Sequence, residues 1–432
     1  MITRFIESLK NDGDKRQIYS WALYDWANSA YATVVIAGFF PIFFKQYWAA
    51  DLSSTESTYQ LGVANAVSSL VIMVFAPLLG AVADRGSARK KFLFFFALMG
   101  IVMSGALFFI AQGEWALAVV IYILATIGFM GGNLFYDSLI VQVAPERKMD
   151  VVSALGYGLG YLGGGILFAL MVVMTLWPAT FGFSDGSGAV RFSFICVALW
   201  WGLFSIPLWL FVKEPKEERG ESALQIISGG WQQLRHTLHE IRQLKVVVLF
   251  LCAYWLYIDG VDTIVRMAVD YGLSIGFDSN SLIVALLITQ FVGFPSAILF
   301  GRLGQRYGAK TGIFIAIGVY IGITVWASMI EKEIEFYGLA IMIGLVQGGI
   351  QSLSRSLYAR LIPPEKSAEF FGFYNMLGKF AAVAGPFMMG WVAVAFDSHR
   401  LAVLSLLILF FAGAALLWFV DEKEGRETKQ SF

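Results

Sequence analysis

The sequence predicts an all-α polytopic membrane protein, with twelve transmembrane helices in two six-helix repeats and both termini cytoplasmic. Three observations carry that reading: the hydropathy, the placement of Lys and Arg, and landmarks that recur in the second half of the chain. Hydrophobic residues make up 58% of the 432 positions before the 44 glycines are counted, and charged residues only 14%. Ordinary soluble domains carry roughly 25% charged residues, and no soluble core of this size hides so much apolar surface. Because 31 Lys+Arg balance 31 Asp+Glu, no charge excess suggests nucleic acid. Two cysteines, Cys196 and Cys252, exclude a disulfide scaffold. Both lie in apolar runs, where a thiol is read as a small buried hydrophobe.

A spanning helix needs about 20 mainly apolar residues, and twelve such runs follow in order. A polar opening segment, 1–17, holds Arg4, Lys10, Lys15 and Arg16, so no cleavable signal peptide is expected before span 1 at 18–46. Spans 2 (59–83) and 3 (92–112) flank Arg85, Arg89, Lys90 and Lys91, and spans 4 (115–143) and 5 (152–176) flank Arg147 and Lys148. Span 6 (191–212) ends at the longest polar interruption, 213–245, a linker with an amphipathic stretch from Leu224 to Leu244. Span 7 (246–269) and span 8 (281–301) precede Arg302, Arg306 and Lys310. Span 9 (311–330) and span 10 (336–359) precede Arg360 and Lys366, and span 11 (369–396) and span 12 (400–420) lead to a tail, 421–432. The first half is therefore 18–212 and the second 246–420.

Under this register every even-numbered loop is basic, whereas the other side carries only Arg191, Lys332 and Arg400. Lys and Arg accumulate on the cytoplasmic side, which places both termini and the linker there. The expected location is a plasma (inner) membrane if the source is prokaryotic. The halves also repeat. Gly80-Ala81-Val82-Ala83-Asp84-Arg85 after span 2 is echoed by Gly301-Arg302-Leu303-Gly304-Gln305-Arg306 after span 8, and Pro145-Glu146-Arg147 by Pro364-Glu365-Lys366. The two separations agree to within two residues. Parallel six-helix repeats about an axis normal to the membrane describe the major facilitator architecture, whose substrate site lies between the halves.

The two loops resemble the major facilitator signature Gly-x-Leu-Ala-Asp-Arg-x-Gly-Arg-Lys. The second copy keeps Gly301, Leu303, Arg306, Gly308 and Lys310 but has Gln305 in place of Asp; the first keeps Gly80, Asp84 and Arg85, with Ser87 in the later glycine slot. The glycines let helices approach closely, and the acid and cations would bind helix ends across the halves as a conformational gate. A narrower resemblance lies in Trp21-Ala22-Leu23-Tyr24-Asp25-Trp26-Ala27-Asn28-Ser29-Ala30 and in Gln347-Gly348-Gly349-Ile350-Gln351-Ser352-Leu353-Ser354-Arg355-Ser356. It continues through Glu369-Phe370-Phe371-Gly372-Phe373-Tyr374-Asn375 and Gly378-Lys379. These blocks resemble the vacuole-effluxer family of major facilitators, which includes the fungal autophagy-related vacuolar amino-acid effluxer and bacterial members of unknown substrate. The resemblance implies a secondary transporter and, through its fungal member, amino-acid efflux.

Charged groups inside a membrane are costly and point to function. Here they are Asp25, Asp137, Asp259, Asp262, Arg266, Arg355 and Lys379. Asp259, Asp262 and Arg266 fall at i, i+3 and i+7 on one face of span 7. Asp262 and Arg266 can pair, which leaves Asp259 as the proton carrier; the alternative is a closed ion pair with Asp259 satisfied by a neighbouring hydroxyl. Gln347, Gln351 and Arg355 recur every fourth residue on span 10, a stripe suited to a zwitterion's carboxylate through the guanidinium fork or to a gate ion pair with Asp137. Asn133 and Asp137 form the matching face on span 4, and Asp25 with Asn28 and Ser29 that on span 1, where Asp25 could instead cap or gate. Lys379, early in span 11, could serve the substrate, snorkel, or pair with Asp84.

The glycine run Gly156 to Gly165 contains a Gly-x-Gly-x-x-Gly spacing, yet it follows no strand, so it reads as close helix packing rather than a nucleotide loop. His236, His239 and Glu240 on the linker are an incidental cluster rather than a metal site. No ATP-binding loop occurs, and no cofactor or metal is expected. An intramembrane enzyme would need a nucleophile or metal constellation at membrane depth, and no His lies in any span. The expected function is a non-enzymatic secondary transporter that acts as a monomer in lipid on a small-molecule substrate, with protons as the candidate coupling ion. An exporter of amphipathic drugs or lipids, or a transporter-like receptor, are the alternatives.

Overall fold

Among the described residues, twelve helices are long and apolar enough to cross a membrane. They run Lys15–Trp48, Glu56–Arg85, Arg89–Phe109, Trp115–Val143, Glu146–Leu176 and Gly186–Phe211 in the first half. The second half has Lys245–Val265, Ser281–Tyr307, Ala309–Ala327, Ile334–Leu361, Pro364–Phe396 and Arg400–Trp418. The computed structural model describes residues 15–214, 223–240, 244–274 and 279–430, and among them every regular element is helical. Arg4, Lys10, Lys216, Arg219 and Arg242 lie outside the described residues. Twelve crossings return the chain to the side where it starts, here termed the terminal face.

The expected spans all appear, with one informative shift. Span 5 is helical from Met149 rather than from 152, because Asp150 is not a loop acid: it is buried and ion-paired with Arg360 at 2.8 Å. Span 1 is α-helical over Lys15–Ala30 and widens to a π-helix over Tyr31–Phe39. Pro41, which cannot donate to the ladder, stands two residues further on, in the α-helical turn Phe40–Phe43. Span 3 starts at Arg89 with no side-chain cap of its own. Glu214, just past span 6, supplies one by accepting the backbone N–H groups of Arg89 and Lys90 at 2.7 and 3.0 Å. A carboxylate at a helix N-terminus satisfies donors that lack an intrahelical partner.

The glycine run of span 5 packs as expected. Side chains at Gly163 and Gly164 would collide with Trp26 and with Thr33 and Ser29 of span 1, and one at Gly165 would press on Gln290 of span 8. Spans 2 and 11 cross with glycine on both sides: Gly80 lies against the backbone of Ala368, and Gly372 against that of Ala76 and Pro77. Span 5 meets spans 8 and 10, so the two halves touch along a long seam. Cys196 is partly covered, but Cys252 faces outward rather than into the core.

The amphipathic stretch of the linker forms a helix, Ala223–Glu240, packed on span 2. Gly229 makes room for the Arg85 guanidinium and Gly230 for Val82. Gln233 then donates to Glu369 of span 11 at 2.8 Å. His236 is exposed, and the side chains of His239 and Glu240 lie outside the described residues. Beyond span 12, a helix at Glu422–Gln430 is held by Arg360–Glu422 at 2.9 Å.

Candidate functional site

Between the halves lies a polar cavity of about 310 Å³. Span 1 offers Asp25, Asn28, Ser29 and Thr33 to it, and span 4 offers Asn133, Tyr136 and Asp137. From the second half come Asp262 on span 7, Gln290 on span 8, the Gln347, Gln351 and Arg355 stripe of span 10, and Asn375 and Lys379 on span 11. The three stripes read from helical spacing thus converge on one space. Asn28 donates to Asn133, which joins two of them directly.

Arg355 is the densest node. It is 1% exposed and reaches from the second half into the first. Its Nη1 donates to Asp137 Oδ1 at 2.9 Å and lies 3.9 Å from Asp25 Oδ2. Nε donates to the Ser153 hydroxyl and Nη2 to the Ser153 carbonyl, both at 2.9 Å. Three ring faces complete the surround: the guanidinium carbon is 4.9 Å from the Trp21 centroid, 5.4 Å from Tyr136 and 4.3 Å from Tyr157. Trp21 stacks on Tyr136 at 4.5 Å, and its indole N–H binds the Tyr136 carbonyl at 2.9 Å, which fixes both planes. Asp25 also accepts from Ser29 at 3.2 Å and Tyr136 at 3.3 Å.

On the terminal side of this node the halves are closed. Asp84 accepts the N–H groups of Ala368 and Glu369 at 3.1 and 2.8 Å, capping span 11 from across the seam. Arg89 binds Asp84 at 2.6 Å and the carbonyls of Pro364 and Glu365 at 3.1 and 2.9 Å. Ser153 donates to the Ser352 carbonyl at 2.8 Å and Ser367 to that of Ser138 at 3.2 Å. Toward the opposite face the polar cavity adjoins a second, of about 270 Å³, lined by apolar side chains such as Ile264, Leu286, Phe336, Ile343 and Met389. Thr33, Gln290 and Gln347 line both.

Four expectations need correction or bounding. Asp259 does not reach the cavity: it is 1% exposed and turns to span 11, accepting the Gly385 N–H at 2.9 Å and the Thr263 hydroxyl at 3.3 Å. Asp262, one helical turn on, is the span 7 carboxylate at the cavity wall. The side chain of Arg266 lies outside the described residues. Lys379 neither snorkels nor pairs with Asp84, whose oxygens are engaged by Arg89 and span 11. It lies about 18 Å along the axis beyond Ser367, at cavity depth. In the second signature copy, Gly301 gives the expected close approach, to Ala154 and Asp150, and Gly308 takes a positive φ of 88° at the turn. Arg306, however, is exposed over the Tyr307 ring, 5.1 Å away, and does not bridge the halves. Gln305 supplies no carboxylate there, so the crossing contact runs through Asp150, which accepts from Arg360 and Ser356.

Two helical halves thus meet around a central polar cavity. The family model described as vacuole effluxer Atg22 like matches residues 53–148 and 141–430. The chain belongs to the Atg22-like, vacuole-effluxer family of major facilitator transporters. The MFS-type transporter YxiO of Bacillus subtilis (strain 168) is 40% identical over 418 residues, 96% of this chain and 97% of its own. Autophagy-related protein 22-1 of Penicillium rubens is 28% identical over 306 residues, 65% of this chain and 50% of the fungal one. Among solved structures, the human organic anion transporter MFSD10 matches with a TM-score of 0.72 at 15% identity, over 93% of this chain and 99% of its own. The proton:xylose symporter XylE matches at 0.68 and 14%, over 95% and 96%. Identities this low show the shared fold alone.

Within the site of this Atg22-like transporter, sequence reasoning missed Tyr136, Ser153, Tyr157, Tyr161 and Gln290. A signal existed for two of them. Tyr157 and Tyr161 stand at i, i+4 as the large residues of a glycine run, so their rings must project where neighbouring helices come closest. Tyr161 sits against Gly293 and Gly348 and donates to Gln351 at 3.1 Å.

Proposed function

We propose that this Atg22-like transporter moves small zwitterionic metabolites, amino acids foremost, out of the cytoplasm by alternating access, with the terminal face cytoplasmic. The observation that supports this is the ion pair of Arg355 with Asp137, beside Asp25, in the wall of the polar cavity. A guanidinium fork is suited to a carboxylate, and the carboxylates to an ammonium. One substrate can therefore engage both members of a contact that also ties the halves together. Binding that favours one state shifts the populations of both. Asp25 and Asp137 are the groups for proton coupling, because protonating either weakens its hold on Arg355 and favours opening of the terminal face.

The experiment is counterflow into proteoliposomes preloaded with unlabelled amino acids, followed by uptake of the radiolabelled species. Uptake above protein-free vesicles, lost in Arg355→Ala, supports the reading; no counterflow across a full amino-acid panel refutes it. The apolar cavity beyond Gln290 and Gln347 favours a second reading, export of amphipathic drugs or lipids. Counterflow restricted to lipophilic cations would select it.

A further inference from the structure

The groups that contact Arg355 come almost entirely from the half to which it does not belong. Trp21 and Asp25 lie on span 1, Tyr136 and Asp137 on span 4, and Ser153 and Tyr157 on span 5. Three ring faces, two carboxylates, a hydroxyl and a carbonyl surround one guanidinium contributed by span 10. Asn375 of span 11 also approaches, donating to Asp137 Oδ2 at 3.5 Å. The floor of the pocket is glycine: a Cβ at Gly156 would come within 3.1 Å of Arg355 Nη2 and 3.2 Å of Asp25 Oδ2, and one at Gly160 within 3.0 Å of Asp25 Oδ1. Aromatic faces with carboxylates form the surround that recognises organic cations.

Separating the halves at the terminal face withdraws Arg355 and leaves this first-half pocket with two carboxylates and no cation. Buried charge without a partner is costly, so the opened pocket calls for another cation. Its wall is continuous with the cavity, since Asp25, Tyr136, Asp137, Tyr157 and Arg355 all line it.

We propose that this pocket is the site for the cationic group of the transported molecule, an ammonium or other small organic cation, and that Arg355 and that group occupy it in turn. The inference rests on the alternating-access reading above and deepens it. The substrate's cation replaces the guanidinium on Asp25 and Asp137, and Arg355, displaced, is left to meet the carboxylate. Bound substrate therefore removes this one fastening, while the contacts of Asp84 and Arg89 with span 11 and the turn before it let the terminal face close around it; the empty site is locked by the protein's own side chain as well. The glycines at 156 and 160 let Arg355, Tyr136, Asp25 and Ser29 close directly onto the span 5 backbone, so a side chain added there would intrude on the pocket.

The test uses purified full-length protein in detergent and requires no transport, so its failure is distinguishable from failure of counterflow. In Arg355→Ala, ethylguanidinium and n-propylammonium should each raise Tm by about 1–2 °C at ten times their dissociation constants. The same cations should do nothing for Arg355→Ala combined with Asp137→Asn. Stabilisation by ethylguanidinium alone would make the pocket an arginine socket and overturn the proposal, and an equal shift with sodium would assign an inorganic-cation site and overturn it as well. If Arg355→Ala does not fold, the second arm uses native Arg355 with Ser367→Cys as a reporter in a Cys196→Ser, Cys252→Ser background. n-Propylammonium should accelerate maleimide labelling of the buried reporter at least about threefold, because it competes with Arg355 for the pocket. An unchanged labelling rate at saturating cation would overturn the exchange.

Discussion

Asp84→Asn tests the closed terminal face most directly. Asp84 accepts two backbone N–H groups of span 11 across the seam, from Ala368 and Glu369. A hydrogen bond to a charged group contributes about 1.5–3 kcal/mol net, so the clamp accounts for about 3–6 kcal/mol of preference for the closed state. Asparagine has one accepting oxygen and no charge, so one neutral bond of about 1 kcal/mol survives. The variant should lose about 2–5 kcal/mol, a shift of roughly 30- to 5000-fold toward the open state. The same substitution leaves Arg89 buried beside a neutral group, but that pair lies within one half. The reporter is again Ser367→Cys on the cysteine-free background: Ser367 is fully buried and bonded to the Ser138 carbonyl of the other half. Labelling should accelerate in proportion to the open population. A rate within about twofold of the parent, in a protein whose Tm shows it folded, would refute the view that Asp84 holds the halves together.

Gly80→Val should shift the same labelling rate in the same direction, because its side chain would overlap the backbone of Ala368, which cannot move without parting spans 2 and 11. Asp259→Asn should cost stability rather than substrate: losing the charge that accepts the Gly385 N–H lowers unfolding stability by about 1–2 kcal/mol, read as a drop in Tm. The apparent affinity for any substrate found by counterflow should stay unchanged. Arg360→Gln removes the cation shared by Asp150 and Glu422. It should release the Glu422–Gln430 helix, with limited proteolysis near Lys423 at least about tenfold faster, as expected when a buried pair loses one partner.

Much of this protein is written locally in its sequence. A run of about 20 apolar residues spans a membrane wherever it occurs, so the count of helices and the six-plus-six division needed no tertiary information. Helical spacing likewise identified the polar stripes Asn133–Asp137, Gln347–Gln351–Arg355 and Asp25–Asn28, because i and i+4 share a face in any helix. What the stripes meet was another matter. Asp259 and Asp262 are close on the helical wheel, and only the rotation of span 7 decides between them. That rotation is set by packing on span 12, where Gly260 lies against the Phe410 ring and Gly413 against the backbone of Tyr257. It turns Asp262 to the cavity and Asp259 to Gly385. Which of its three open roles Lys379 takes depends on the helices around it, which bring it to the cavity wall, and the aromatic pocket around Arg355 was invisible because its members are scattered from Trp21 to Tyr157. The sequence by itself determined which segments cross the membrane and which faces are polar, since hydropathy and helical period are short-range properties of the chain. Only the tertiary structure decided which carboxylate faces substrate, and which half's acids hold the other half's arginine, since these depend on how distant helices rotate and pack.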